Sequence, residues 1–301
     1  MFDLHARTIR LATAVASLTA AAALPLIAAQ SAGAQQPPTP FQMIRALDLE
    51  CRSAGGPPPA PNVFIRQLNP VLRDRLPNQW AQLGGLEDVC VPVAKNQAIP
   101  PQPVLDFAKW FDLGCFEADA PPVDVDVKLS HLNPQLVGLS DEDVKLVELD
   151  QVCLPVRKNN SVIPEGVRAM VSHFDFACYR LAEPTEDANT SLQITHLNPV
   201  IREMGFGDHV VDMKRARHLC VPIAKNNQPV PEAVRPYIAW ADFLKYRIDV
   251  VQGWTPPFGL LLQHLNPLYG NVPPFPTVLQ DAFRLMVPVA KDGKLPPGAP
   301  D

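Results

Sequence analysis

What this 301-residue chain lacks narrows its chemistry first. It contains no Cys-x-x-Cys, no Gly-x-Ser-x-Gly, no His-Glu-x-x-His, and neither a Gly-x-Gly-x-x-Gly nor another phosphate-cradling glycine loop. The usual signatures of redox, acyl-transfer, zinc-protease and nucleotide chemistry are therefore missing. Serine is scarce, with six residues after position 34 and none in a nucleophile's setting. There is no excess of positive charge either: 26 Lys and Arg stand against 31 Asp and Glu, a net charge of −5. That excludes the basic footprint of a nucleic-acid binder.

Long apolar runs are also absent, with one near-exception at the N-terminus. Residues 11–29 carry no charge, but they are mostly Ala and Thr and include Pro25. A membrane span needs about 20 strongly apolar residues. Arg7 and Arg10 precede this stretch and Ala32-Gly33-Ala34 follows it, which is the layout of a secretory signal peptide with its small-x-small cleavage site. The alternative is a transmembrane anchor. The expectation is a signal peptide over 1–34 and a mature chain starting at Gln35, exported to the periplasm or the medium, with no transmembrane segment. The mature chain has a net charge of −6 once Arg7, Arg10 and Asp3 are removed.

Proline supplies 35 of the 301 residues, more than twice average usage. Hydrophobic residues still make up 47%, so composition does not imply disorder. Many short elements with frequent stops are implied instead.

Three motifs recur four times in fixed order. Asp-x-x-Cys is found at Asp48–Cys51, Asp112–Cys115 and Asp175–Cys178, with Asp242-Phe243-Leu244-Lys245 in fourth place. Leu-Asn-Pro follows at Leu68, Leu132, Leu197 and Leu265. About 20 residues later come Cys90-Val91-Pro92-Val93-Ala94-Lys95-Asn96 and its counterparts at Cys153, Cys220 and Met286. Such self-similarity marks a repeat architecture. Counting back 14 residues from each first-motif Cys, or Lys245, reaches Pro37, Pro101, Pro164 and Pro231, each opening an apolar-periodic stretch. Proline suits the first helical turn. The predicted units are 37–100, 101–163, 164–230 and 231–301.

The fold class expected is mainly β with short helices (α+β). Each unit should hold a Pro-headed helix of two or three turns, the last running from 231 to 241, plus three or four mostly antiparallel strands. Strands are predicted at 123–129, 144–147, 151–156, 192–195 and 259–263. The proline two places after each second-motif Cys, or after Met286, places that strand at an edge or a bulge. With no linker between helix and strand, the units should pack as one contiguous array whose fourth member leans on the third.

Six cysteines in an exported chain imply disulfides. The repeat pairs Cys51 with Cys90, Cys115 with Cys153, and Cys178 with Cys220. In the fourth unit both partners are absent together, replaced by Lys245 and Met286. The rival scheme joins Cys90 to Cys115 and Cys153 to Cys178 and strands Cys51 and Cys220. Each bridge within a unit closes a loop of roughly 40 residues and contributes about 4 kcal/mol in the chain-entropy model.

The pattern of a strand ending in Cys, then Val152-Cys153-Leu154-Pro155-Val156-Arg157-Lys158-Asn159, resembles a domain of unknown function repeated in secreted proteins of environmental bacteria. The likeness extends over the whole mature chain and departs in the fourth unit, which lacks both cysteines. It implies architecture and export and carries no activity.

No catalytic residue, metal ligand or cofactor is assigned. His131, His196 and His264 precede Leu-Asn-Pro, with Gln67 at the same place in the first unit. They could converge on a metal if the units surround an axis, but Gln67 favours a hydrogen-bonding role at the strand end. His173, His209 and His218 have no counterparts and read as incidental. The recurring aspartates (Asp48, Asp112, Asp175, Asp242) and lysines (Lys95, Lys158, Lys225, Lys291) read as a structural contact inside each unit. Asp124, Asp126 and the Asp141-Glu142-Asp143 turn lack the spacing of a calcium loop and read as solvated. The function expected is a non-catalytic binding or scaffold role in the cell envelope or outside the cell, toward a protein or glycan partner and not nucleic acid. The alternative is a secreted hydrolase with a site assembled between units. Unit-specific polar residues converging in one pocket would mark a single site, whereas a repeat binder would show equivalent surfaces.

Overall fold

The computed structural model describes residues 37–136, 138–253 and 256–300, so the segment read as a signal peptide lies outside the described residues. Along the chain the elements fall into four successive stretches, here called rounds, each opening on a helix. The first round is α1 (Pro40–Ile44), β1 (Asp48–Ser53), β2 (Asn62–Gln67) and β3 (Gln79–Lys95). The second is α2 (Gln102–Ala108), β4 (Leu113–Asp119), β5 (Val125–His131) and β6 (Glu142–Lys158). Then come α3 (Glu165–Val171), β7 (Asp175–Leu181), β8 (Thr190–His196), a short α4 (Pro199–Glu203) and β9 (His209–Lys225). The last round holds α5 (Arg235–Ile238), β10 (Phe243–Gln252) and β11 (Phe258–His264), and its long strand is broken into β12 (Phe275–Leu279) and β13 (Ala282–Lys291).

The fold is mainly β, and every strand pairing is antiparallel. The helices are shorter than the periodicity implied. α1 starts at Pro40, not Pro37, because Thr39 and Gln42 form a capping box there. α5 is a single turn. The two strands expected at 144–147 and 151–156 are one strand, β6.

Eight strands close into a ring. β1 pairs with β3, β3 with β4, β4 with β6, β6 with β7, β7 with β9, β9 with β10, β10 with β13, and β13 returns to β1. The last pairing, with Leu49 opposite Met286, makes a barrel of what the sequence implied was an open array. Closure removes the exposed sheet edges that an array would leave. Register shifts between Leu83 and Asp88, and between Leu146 and Gln151, mark bulges that bend the long strands. One strand thereby serves both the ring and an outer hairpin, formed with β2, β5, β8 or β11.

Each outer strand then crosses to a long strand two rounds away: β2 to β9, β5 to β13, β8 to β3 and β11 to β6. This explains the prolines, which are not at an edge. On one side of β3, pairing with β4 ends at Cys90 and pairing with β8 begins at Val93. Pro92 falls in the gap, where its missing N–H costs no ladder bond. Pro155, Pro222 and Pro288 fill the same gap in β6, β9 and β13. The Lys-Asn endings make tight turns with positive φ at Asn96, Asn159, Asn226 and Asp292, which Asn and Asp tolerate better than most residues. Their side-chain oxygens accept from the backbone of the crossing strands, at Gln193, Leu261, Phe64 and Lys128.

Two apolar cores lie on the two faces of the ring. The inner one holds all six cysteines together with Leu49, Leu113, Phe176 and Phe243, and Phe111 and Phe174 beyond the helices stack onto it. Burying each aromatic is worth roughly 1.5–3 kcal/mol. The outer core lies beneath the hairpins and includes Val63, Ile65, Leu192, Ile194, Leu260 and Leu262.

Disulfides join Cys51 to Cys90, Cys115 to Cys153 and Cys178 to Cys220. Each joins directly opposed residues on paired strands. Sulfurs of neighbouring bridges also lie close, with Cys90 Sγ 3.9 Å from Cys115 Sγ and Cys153 Sγ 3.5 Å from Cys178 Sγ. The rival pairing is thus within reach and not taken. In fourth place Lys245 faces Met286.

The recurring Asp, Lys and Asn residues lock the rounds together. Lys95 reaches Asp48 at 2.5 Å, and Lys158–Asp112, Lys225–Asp175 and Lys291–Asp242 are equivalent buried ion pairs. Each aspartate also accepts from the Leu-Asn-Pro asparagine of the following round: Asn133 to Asp48 at 2.6 Å, Asn198 to Asp112 at 2.8 Å and Asn266 to Asp175 at 3.0 Å. Asn69 of the first round closes the cycle on Asp242 at 2.7 Å. Burial pushes these carboxyls up despite the lysines, Asp242 to about 6, and pushes the lysines down.

Candidate functional site

Two residues before each second-motif Cys, or Met286, the long strands point into the ring with a different polar side chain each time: Asp88, Gln151, His218 and Arg284. Asp88 and Gln151 meet Lys245, which stands where the other rounds carry a bridged Cys. Lys245 Nζ donates to Asp88 Oδ2 at 2.5 Å and to Gln151 Oε1 at 2.8 Å, and Arg284 Nη1 reaches the same Asp88 oxygen at 2.7 Å. β10, β3 and β6 are not neighbours in the ring, so these contacts cross its interior. Burial works to raise the Asp88 carboxyl, but Lys245 and Arg284 outweigh it and hold the group below its usual range. Burial lowers Lys245, and the Arg284 charge adds to that against Asp88.

Beyond this layer the ring opens into a cavity of about 780 Å³. Arg217, His218, Lys245, Arg247 and Arg284 line it against the acidic Asp249 and Asp281, with Val250, Val251 and Phe283 among its apolar walls. The opening lies where β9 and β10 slip register at three places, and where the fourth long strand is interrupted between β12 and β13. His218 Nε2 is 2.8 Å from Asp150 Oδ2. Burial keeps its pKa below the usual value against that carboxylate. Arg217 forms no salt bridge with any described residue.

The histidines before Leu-Asn-Pro do not converge on one another. Each meets a ring strand two rounds away, on its outer face. Gln67 donates to the Tyr179 hydroxyl at 2.8 Å, and His131 Nε2 is 3.1 Å from the Tyr246 hydroxyl. His264 packs against the rings of Phe116, Tyr269 and Phe275. Burial lowers His131 and His264 to about 4. His196 instead faces a carboxylate: its Nε2 is 3.8 Å from Glu50 Oε1, and His209 Nε2 is 2.5 Å from Glu50 Oε2. Burial opposes ionisation of Glu50, but the hydrogen bond with His209 and the neighbouring charges hold its pKa at about 2. Arg52 Nη1 lies 3.4 Å from Oε1. Glu50, His196 and His209 are the group among the described residues whose donor atoms could hold a metal ion.

His209 and His218 are therefore not incidental. Both are buried against carboxylates, and the sequence reading overlooked them because it weighted recurrence. Glu50 and Arg52 were missed for the same reason, although they stand out as departures: Gly114, Ala177 and Leu244 occupy the place of Glu50, and Phe116, Tyr179 and Tyr246 that of Arg52. Asp124 and Asp126 are exposed and pair with Lys145, and Asp141 pairs with Lys128. His173 is partly buried near Asp175. Among the described residues no helix is long and apolar enough to cross a membrane. No family model, no curated protein and no solved structure matches this chain.

Proposed function

We propose that this chain is an exported, non-catalytic binding protein made of four copies of one unit, and that it holds a small anionic ligand in the open end of its barrel. The observation that carries the reading is the convergence of non-recurring polar side chains, Asp88, Gln151, His218, Lys245 and Arg284, at one recurring inward position and its neighbour. Recurring residues hold the barrel together, and this cavity lies where they differ. Four basic side chains line the cavity against two acidic ones, and Arg217 is free to meet a carboxylate or phosphate with its planar fork of donors. Three disulfides suit an oxidising compartment. Export and the likeness to a repeated secreted domain rest on the residues quoted above.

Calorimetric titration with a panel of small carboxylates and inorganic phosphate tests this. Arg217→Ala and Arg284→Ala should each weaken binding of the anion that binds the wild type. Saturable binding of a neutral glycan to the same cavity, or of anions with no response to either substitution, would overturn the reading. The hydrolase alternative has one observation in its favour, the His218–Asp150 pair on the cavity wall. No serine, threonine or cysteine lines that cavity among the described residues, and turnover of ester or phosphoester substrates that is lost in His218→Ala would establish it.

A further inference from the structure

We infer that Glu50, His196 and His209, none of them among the residues lining the barrel-mouth cavity, form a binding site for one divalent metal ion of the zinc class. Three elements bring the donors together: the ring strand β1 carries Glu50, the last residue of the crossing strand β8 is His196, and the first residue of β9 is His209. All three are buried, and one donor atom from each lies within 4.8 Å of the others. Two imidazole nitrogens and one carboxylate oxygen are a donor set that zinc and cobalt(II) accept, with ligands at about 2.0–2.2 Å and hence donors about 3.4 Å apart in a tetrahedron. His209 Nε2 lies 2.5 Å from Glu50 Oε2 and His196 Nε2 lies 3.8 Å from Glu50 Oε1, on either side of that value. Side-chain adjustments of about an ångström would open one gap and close the other.

The other three junctions show why this one stands apart. There the crossing strand's last residue meets a tyrosine hydroxyl or an aromatic ring. The place of His209 is taken by Gln79, Glu142 and Phe275, and that of Glu50 by Gly114, Ala177 and Leu244. Two of the three donors are thus departures from the recurring pattern, and they occur together at one junction. Packing alone does not require that combination, since the same architecture is built elsewhere without it. His196 Nε2 sits beyond hydrogen-bond range of the carboxylate it faces, and an ion between them would bridge that gap. Arg52 approaches Glu50 through Oε1 and is itself faced by Asp281. It can orient the carboxylate as an outer hydrogen-bond donor. An ion here would tie β1 to β8 and β9 on the outer face of the ring, a staple of a kind the other junctions lack.

The test uses untagged, full-length mature protein, stripped with a chelator and dialysed against zinc(II) or cobalt(II). One equivalent should be retained by elemental analysis, cobalt should give the visible absorption of four- or five-coordinate nitrogen/oxygen ligation, and the thermal midpoint should rise on loading. His196→Gln copies the residue that Gln67 supplies at the equivalent junction, and His209→Asn keeps a polar side chain of similar reach. Both should lose stoichiometric uptake while circular dichroism stays unchanged, and His131→Gln should retain it. The inference fails if stripped wild type takes up no stoichiometric metal, or if both variants bind as the wild type does. Should a variant fail to fold, the cobalt spectrum of the wild type decides alone, because solvent-like octahedral absorption would exclude the site.

Discussion

The place where the barrel lacks a disulfide should accept one. Lys245 and Met286 are opposed across β10 and β13, as Cys51 and Cys90 are across β1 and β3. In the double variant Lys245→Cys/Met286→Cys, a new bridge would close a loop of about 40 residues, worth about 4 kcal/mol in the chain-entropy model. The gain has an opposing term. Lys245 is fully buried against Asp88, and breaking a buried ion pair from one side costs about 3–5 kcal/mol. Arg284 and Gln151 remain on Asp88 and place the cost toward the low end. The double variant should therefore differ from wild type by no more than about 1 kcal/mol. Adding Asp88→Asn removes the stranded charge and should recover about 2 kcal/mol or more of the bridge's contribution. Intact mass with thiol labelling reports the bridge, and urea unfolding of the oxidised proteins reports stability. Free thiols at 245 and 286 after oxidation would refute the strand register and, with it, the ring. Anion binding should fall in either variant, because Lys245 lines the cavity.

The lattice between rounds gives further tests. Asn198→Ala removes hydrogen bonds to Asp112 and to the Lys109 carbonyl, together with the cap of α4, and should destabilise by about 3 kcal/mol in urea. Lys158→Met leaves Asp112 buried and unpaired from its lysine and should cost about 3–5 kcal/mol, whereas Lys158→Met with Asp112→Asn should recover most of that loss. The buried His264 is held at about 4. As pH falls from 6.5 toward 4 the unfolded chain takes up a proton that the folded one refuses, so up to about 3 kcal/mol of stability present above 6.5 is lost. His264→Met should flatten the urea midpoint across that range, and an unchanged slope would count against the burial inferred for this residue.

The parts of the fold that were legible in the sequence are those written into recurring residues. Asp-x-x-Cys, Leu-Asn-Pro and the Pro-x-x-Lys-Asn ending mark a strand, a capped turn and a left-handed turn, each a local geometry that a few residue types satisfy. The crossing strands were not legible. β2 ends against β9, and nothing local to residues 62–67 states which strand is opposite. The long strand β6 was read as two because the bulge before Gln151 interrupts its alternation, and a period-two pattern cannot be followed through a bulge. The helices were overestimated because the proline and the apolar spacing at 231–241 are satisfied by a single turn plus irregular backbone.

Closure changes what the departures from the pattern mean. In an open array a terminal round can drift in sequence because it has only one neighbour, and the loss of both cysteines from the fourth round would read as such drift. In a ring the fourth round has two neighbours, β9 through β10 and β1 through β13, and its Asp242 receives Asn69 from the first. It is as constrained as the others. A buried lysine at a cystine position then needs partners that did not exist in the recurring pattern, and Asp88 and Gln151 are those partners, drawn from the long strands of the first and second rounds. The substitution and its compensation lie in different rounds, so neither makes sense within a single round. The same holds for Glu50, His196 and His209, which are drawn from the first and third rounds. Chemistry in this barrel is thus expected where symmetry is broken by residues that answer one another between rounds.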